Sequence, residues 1–126
     1  MRQLGLGMML VSLLAACDEP APVASPALPT VAGIPDRDPD APDADGRTTL
    51  SLWARSCALC HVDGTGGAPR FANQEDWAER RAQGEAVLLA HTLAGHRNMP
   101  PLGYCMDCTA EDFVRLIRFM VPEASP

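Results

Sequence analysis

Cys57-Ala58-Leu59-Cys60-His61 is the segment of this 126-residue chain whose residue types and spacing are best suited to chemistry. Two residues between the thiols set both sulfurs along one edge of a planar macrocycle, and the adjoining imidazole then swings beneath its metal. That is the attachment pattern of a single covalently bound haem c. A second pair, Cys105 and Cys108, has the same spacing, and the four thiols together would satisfy a tetrahedral zinc site. A thioredoxin-like use of either pair lacks the alternating strand pattern such a fold needs.

If iron is held through His61, a second axial ligand must come from His91, His96, Met99, Met106 or Met120. Met99 is the expected one. Pro100 disfavours helix at the residue before it and Pro101 stiffens the backbone beyond, so the thioether sits on a constrained extended loop. His96 is the substitute if that loop refolds. His91 falls within an apolar helical run and reads as a packed or surface side chain. Met106, between Cys105 and Cys108, and Met120, on an apolar helix face, read as structural. A soft, neutral thioether favours ferrous over ferric iron and raises the potential relative to a second imidazole.

The elements that must position these groups are all helical. Leu50, Trp53, Ala54 and Cys57 recur at three and four residues, which predicts a helix over 48–61 with one face toward the bound group. Gly64, Gly66 and Gly67 end it. Asn73 caps a second helix running to about Gln83, with Glu75 and Asp76 in its first turn. A third runs from Glu85 to Ala94 with Val87, Leu88 and Leu89 partly buried, and Gly95 stops it. Thr109-Ala110-Glu111-Asp112 approximates a capping box for a last helix, whose Phe113, Leu116, Ile117 and Met120 share one face. With no strand pattern or internal repeat, the expected fold is all-α, four short helices around one haem.

Outside this head the chain changes character. Met1-Arg2-Gln3 followed by apolar Leu4 to Leu14 is too short to span a bilayer and has the form of a signal segment, 1–16. Leu14-Ala15-Ala16-Cys17 resembles the lipobox of bacterial lipoproteins, in which the cysteine is acylated; the alternative is ordinary cleavage at a small-residue site. Asp18 and Glu19 after it resemble an inner-membrane retention signal. Residues 18 to 46 hold seven prolines and seven acids against the single Arg37, with no aromatic. Such a segment cannot bury enough surface to offset its ordering entropy. Residues 17–46 are therefore expected to form a lipid-anchored disordered tether, reaching about 30 Å as a coil and roughly 90 Å as polyproline II. The domain proper is 47–126, where nine acids face eight arginines. The chain has no lysine, and nothing in it is basic enough for nucleic acid.

The five cysteines can then all be assigned: Cys17 to lipid, Cys57 and Cys60 to haem, Cys105 and Cys108 to each other in an oxidising compartment. A loop this short contributes only about 2 kcal/mol in the chain-entropy picture. A reduced or metal-bound pair is the alternative.

Residues 46 to 121 resemble the cytochrome c5 family of class I cytochromes c. The resemblance is carried by Cys57-Ala58-Leu59-Cys60-His61, Gly67-Ala68-Pro69, Trp77 with Arg80, Gly84, Gly95, Met99-Pro100-Pro101 and Gly103-Tyr104-Cys105 with Cys108. It implies His61 and Met99 as axial ligands and a Cys105–Cys108 disulfide. It also implies that the Pro69 carbonyl accepts a hydrogen bond from the far nitrogen of His61, and that Trp77 and Arg80 lie near the haem propionates, Arg80 offsetting their charge. From the residues alone, Pro69 is a loop proline, Trp77 a core residue and Arg80 a surface one. The chain departs from the family in Tyr104, where glycine is common, and in lacking lysines for a basic docking face.

These features predict a one-electron carrier rather than an enzyme, tethered in the periplasm, more readily at the inner membrane than the outer. It would shuttle between redox proteins such as membrane respiratory complexes and bind no small-molecule substrate. Leu59, Ala68 and Leu102 would make an apolar contact patch for brief encounters. Three alternatives make different predictions: an open-site gas sensor or peroxidase would bind external ligands, a zinc-stabilised module would contain zinc, and a dedicated enzyme subunit would co-purify stoichiometrically.

Overall fold

The computed structural model describes residues 32–34 and 38–123. The expected signal segment 1–16, the lipidation residue Cys17 and the tether up to residue 31 lie outside the described residues. No helix among the described residues is long and apolar enough to cross a membrane.

Five helices and two short 3-10 turns make up the head, with no strand among the described residues. Thr48 caps α1 (Thr49–Arg55): its hydroxyl accepts from the Ser51 amide, and the Ser51 hydroxyl accepts from the Thr48 amide. The single helix expected over 48–61 is in fact two. Ser56 turns its hydroxyl onto the Leu52 carbonyl at 2.6 Å, its backbone leaves the helical region (φ −132°, ψ −79°), and α2 restarts at Ala58–His61. Serine competing for a helix carbonyl weakens the ladder at that point. The break also shifts the buried face: Thr49 and Leu52 point inward, Leu50 and Ala54 are exposed, and Trp53 packs against Phe71 and Phe119, with ring centroids 5.0 and 5.8 Å away.

The later helices obey their sequence signals. Asn73 caps α3 (Gln74–Arg81) by accepting from the Asp76 amide. The α4 helix (Glu85–Ala94) lies between Gly84 and Gly95. Thr109 and Asp112 form a reciprocal capping box at the start of α5 (Ala110–Met120). Phe113, Val114, Leu116, Ile117 and Met120 of α5 are buried with Leu52 and Leu89 as the core. Removing such a side chain from water contributes about 1.5–3 kcal/mol each. Val87, expected to be partly buried, is exposed, and Leu89 carries the burial of α4.

The described part of the expected tether is more ordered than its composition suggests. Asp38 and Asp43 accept from the amides of Asp40 and Asp45 two residues on, closing local turns that proline-rich, acidic sequence supports. These turns are tied to the head. The Leu50 amide donates to the Pro39 carbonyl at 3.0 Å, Arg47 pairs with Asp43 at 3.0 Å and Asp112 at 3.2 Å, Ile34 packs on the core, and Arg118 donates to the Ile34 carbonyl. Ordering thus begins before residue 47, the boundary that the charge pattern suggests.

Candidate functional site

The break between α1 and α2 aims one side of the short helix inward. Cys57 and His61 are buried, the latter only 6% exposed, Cys60 is half-buried, and Leu59 faces out at 61% exposure. Neither Cys57 nor Cys60 is in a disulfide. Burial pushes the Cys57 thiol up, and a hydrogen bond with Ser56 only partly counters it.

His61 is fixed by the loop on its C-terminal side. Its Nδ1 lies 2.7 Å from the Pro69 carbonyl oxygen. A carbonyl can only accept, so Nδ1 donates and Nε2 keeps its lone pair for a ligand. Burial lowers the imidazole's pKa below its usual value; the Pro69 bond opposes this and the charge of Arg80 adds to it. The ring is therefore neutral, as ligation requires. Trp77 lies parallel to it, centroids 5.9 Å apart at 12°.

Met99 enters from the loop between α4 and the 3-10 turn Pro101–Tyr104. His96 and Met99 exchange two backbone hydrogen bonds of 3.0 and 2.9 Å, which close a tight turn in place of the plain extended loop expected from the prolines. Two glycines make room for it. A Cβ on Gly95 would come within 3.0 Å of the Met99 carbonyl, and one on Gly103 within 3.1 Å of the Met99 methyl. The Asn98 side-chain Nδ2 donates to the Gly66 carbonyl at 3.0 Å, joining the methionine loop to the loop after His61.

These groups line one cleft of about 300 Å³: Cys57, Cys60 and His61 from α2, Pro69, Trp77 and Arg80, then Met99 and Gly103, with Ile117 and Met120 of α5 behind. Cys105 and Cys108 are disulfide-bonded, Cα atoms 5.4 Å apart, and absent from the lining, which rules out the four-thiolate zinc arrangement. Arg80 donates to the Asp76 carbonyl. The indole N–H of Trp77 is committed to the Arg70 carbonyl at 2.8 Å, and Trp77 lines the cleft. Asp76 pairs with Arg70 at 2.7 Å, and that hydrogen bond and charge lower its pKa to about 2.

Several lining residues carried little signal in the sequence. Ser56 had none beyond its helix-interior position. His91 and His96 stack at 4.0 Å on the cleft wall; five residues apart across Gly95, they had no helical spacing to pair them. Gly103 was legible as a loop glycine but not as the floor under Met99.

The donor set fits a haem attached through two thioethers: two unpaired thiols, a neutral imidazole with one committed nitrogen, a thioether, and a largely apolar cleft with glycines where bulk would intrude. Comparison with known proteins points the same way. Residues 44–120 match the family described as cytochrome c oxidase, cbb3-type, subunit III. Cytochrome c5 of Ectopseudomonas mendocina is 33% identical over 76 residues, 59% of this chain and 87% of that one. A mono-heme ferrocytochrome c from Shewanella putrefaciens superposes with a TM-score of 0.55 at 39% identity, covering 61% of this chain and 95% of that one. A chain from a crystal structure of the electron transfer complex of nitrite reductase with cytochrome c gives 0.54 at 29%, covering 64% and 94%.

A strand-free head folded around a cleft that opens on C-x-x-C-H defines a small class I cytochrome c. The chain belongs to the c-type cytochromes, in the family matched over residues 44–120 and alongside cytochrome c5. It is an electron-transfer protein carrying one covalent haem c, not an enzyme.

Proposed function

We propose that Cys57 and Cys60 hold the haem as thioethers, that His61 and Met99 fill its two axial positions, and that the protein is a membrane-tethered shuttle between redox proteins in the periplasm. The observation that carries this reading is the single cleft that brings both thiols, the Pro69-oriented imidazole and the Met99 loop together. When bound, the haem supplies a ferric/ferrous couple. With His61 and Met99 both engaged, no position is left for oxygen or peroxide, which disfavours the sensor and peroxidase alternatives. Leu59, within the motif, is exposed, and Ala68 and Leu102 are partly so; these apolar side chains suit the weak, fast contacts of a carrier. Arg80, which lines the cleft, would offset carboxylates of the prosthetic group.

Anchoring rests on the sequence Leu14-Ala15-Ala16-Cys17 after the apolar segment of 1–16. Acylation of Cys17 would hold the head at the membrane, the inner one by the acidic residues next to it. Membrane respiratory complexes are the natural partners. A second reading, a subunit dedicated to one oxidase, is favoured by the family's description. Stoichiometric co-purification with a membrane enzyme supports it, and recovery of the free protein supports the shuttle.

The test is the visible spectrum of the exported protein in both oxidation states. A sharp reduced α-band, together with a weak far-red sulfur-to-iron band in the oxidised form that disappears in Met99→Ala, supports the axial pair. A haem spectrum lacking that band in the wild type overturns Met99 and transfers the role to His96 or to an open site. Export of Cys17→Ser to the soluble fraction tests the anchor; unchanged membrane association refutes it.

A further inference from the structure

Two consecutive carbonyls beside the motif do matching work. Pro69 accepts from the His61 imidazole at 2.7 Å, and Arg70 accepts from the Trp77 indole at 2.8 Å, while the two rings lie parallel at 12°. The Cα of Arg70 joins the two peptides, so a displacement of that residue that loses the indole also moves the carbonyl facing the imidazole. The same short loop is gripped by Asp76, which accepts from the Arg70 amide at 3.0 Å and from its guanidinium at 2.7 and 3.1 Å. The Phe71 amide closes the arrangement on the His61 carbonyl at 2.7 Å. Asp76 and Trp77 are adjacent near the start of α3, whose cap residue Asn73 accepts from the Asp76 amide and donates its own amide to the Arg70 carbonyl at 3.2 Å, a second and longer bond to the oxygen that Trp77 holds.

We propose that Trp77 and Asp76 are positioning residues which, through the Pro69–Arg70 carbonyl pair, fix the plane of the His61 imidazole and the strength of its Nδ1–H bond, and so set the reduction potential. The proposal rests on His61 being the iron ligand. A firm Nδ1–H···O=C bond raises the basicity of the coordinating nitrogen and favours the ferric state. Loosening the loop therefore raises the potential. Neither residue needs to touch the iron for this.

The experiment compares holo-protein of the wild type with Trp77→Phe, which keeps a stacking ring without the N–H, and with Asp76→Asn and Asp76→Glu. Readouts are the reduction potential, the order and spread of haem-methyl shifts in the ferric NMR spectrum, and the melting temperature. Trp77→Phe is expected to stay low-spin, with a raised potential and a rearranged methyl pattern. Asp76→Asn should move both in the same direction by less, and Asp76→Glu should restore them. Unchanged potential and methyl pattern, with only the melting temperature lowered, would make both residues merely structural and overturn the inference. If Trp77→Phe takes up no haem, the Asp76 pair decides by the same criteria. A wild type that is not low-spin removes the ligation reading on which the inference rests; a low-spin wild type with unmoved variants sinks the inference alone.

Discussion

The α5 helix and the two loops around the cleft are built on opposite terms. The helix is locally self-consistent: a reciprocal cap of Thr109 and Asp112 starts it, Glu111 and Asp112 sit where the dipole favours acids, Arg118 lies in the last turn, and five apolar side chains are buried along its inner side. The loops over 62–72 and 95–104 have little of this. Ala72, Arg97, Leu102 and Tyr104 all take positive φ without being glycine, at an order of 1–2 kcal/mol each. They also surround a buried imidazole and two thiols that no other part of the chain requires. Strain of this kind persists where the surroundings over-determine it, and here the surroundings include a group the loops were shaped to enclose. The lesson is that the helix explains itself, whereas the loops are explained by their cofactor.

The largest test of that difference removes the attachment. Cys57→Ala with Cys60→Ala, purified without haem, should lose nearly all amide protection over 62–72 and 95–104 while α5 keeps a substantial part of its own. Hydrogen exchange read by mass spectrometry measures both in one experiment, and equal loss in α5 and the loops would break the comparison. Next in size, Phe113→Ala empties a fully buried site of α5. It should cost about 3–5 kcal/mol in denaturant unfolding of the holo-protein, with the visible spectrum unchanged.

Acid should act on the α5 side as well. Burial alone would raise Asp112, which is 1% exposed, but hydrogen bonds from Thr109 and Arg115 and the charge of Arg47 outweigh it and hold its pKa below the usual 3.8. A carboxylate depressed on folding contributes stability that is complete above its unfolded pKa and is lost as pH falls through the folded value. Urea midpoints should therefore drop below about pH 4. Asp112→Asn should be less stable at neutral pH and show a flatter decline; a decline as steep as the wild type's would assign the acid sensitivity to other carboxylates. The smallest effect belongs to the loops. Tyr104 holds φ +66° and is exposed, so Tyr104→Gly should relieve strain and gain about 1 kcal/mol in thermal unfolding, offset in part by glycine's greater unfolded-state entropy. A loss of stability would mean that the tyrosine ring supports the loop.

The same division governs what could be read from the sequence. The α3, α4 and α5 spans were predictable from caps, glycines and apolar spacing because those signals are local. The haem motif was legible because its chemistry lies in five consecutive residues. The break at Ser56 was not, since a serine at that position is compatible with a continuing helix until its hydroxyl takes the Leu52 carbonyl. Positive φ at Leu102 has no sequence signature outside glycine, and at Tyr104 the only hint was the glycine common there in the resembled family. The Trp77 bond to Arg70 depends on a backbone orientation that spacing does not encode. The turns at Asp38 and Asp43 were signalled by their Asp-Pro and Asp-rich context, but average composition over 18–46 concealed them.

The attachment site can be tested directly, because trypsin cleaving after Arg55 and Arg70 releases Ser56–Arg70 with Cys57, Cys60 and His61 on one peptide. Mass spectrometry of the digest should find the whole haem on that fragment and Cys105 linked to Cys108 on another. Two alkylatable thiols at Cys57 and Cys60, in protein made by a host that matures c-type cytochromes, would contradict the account.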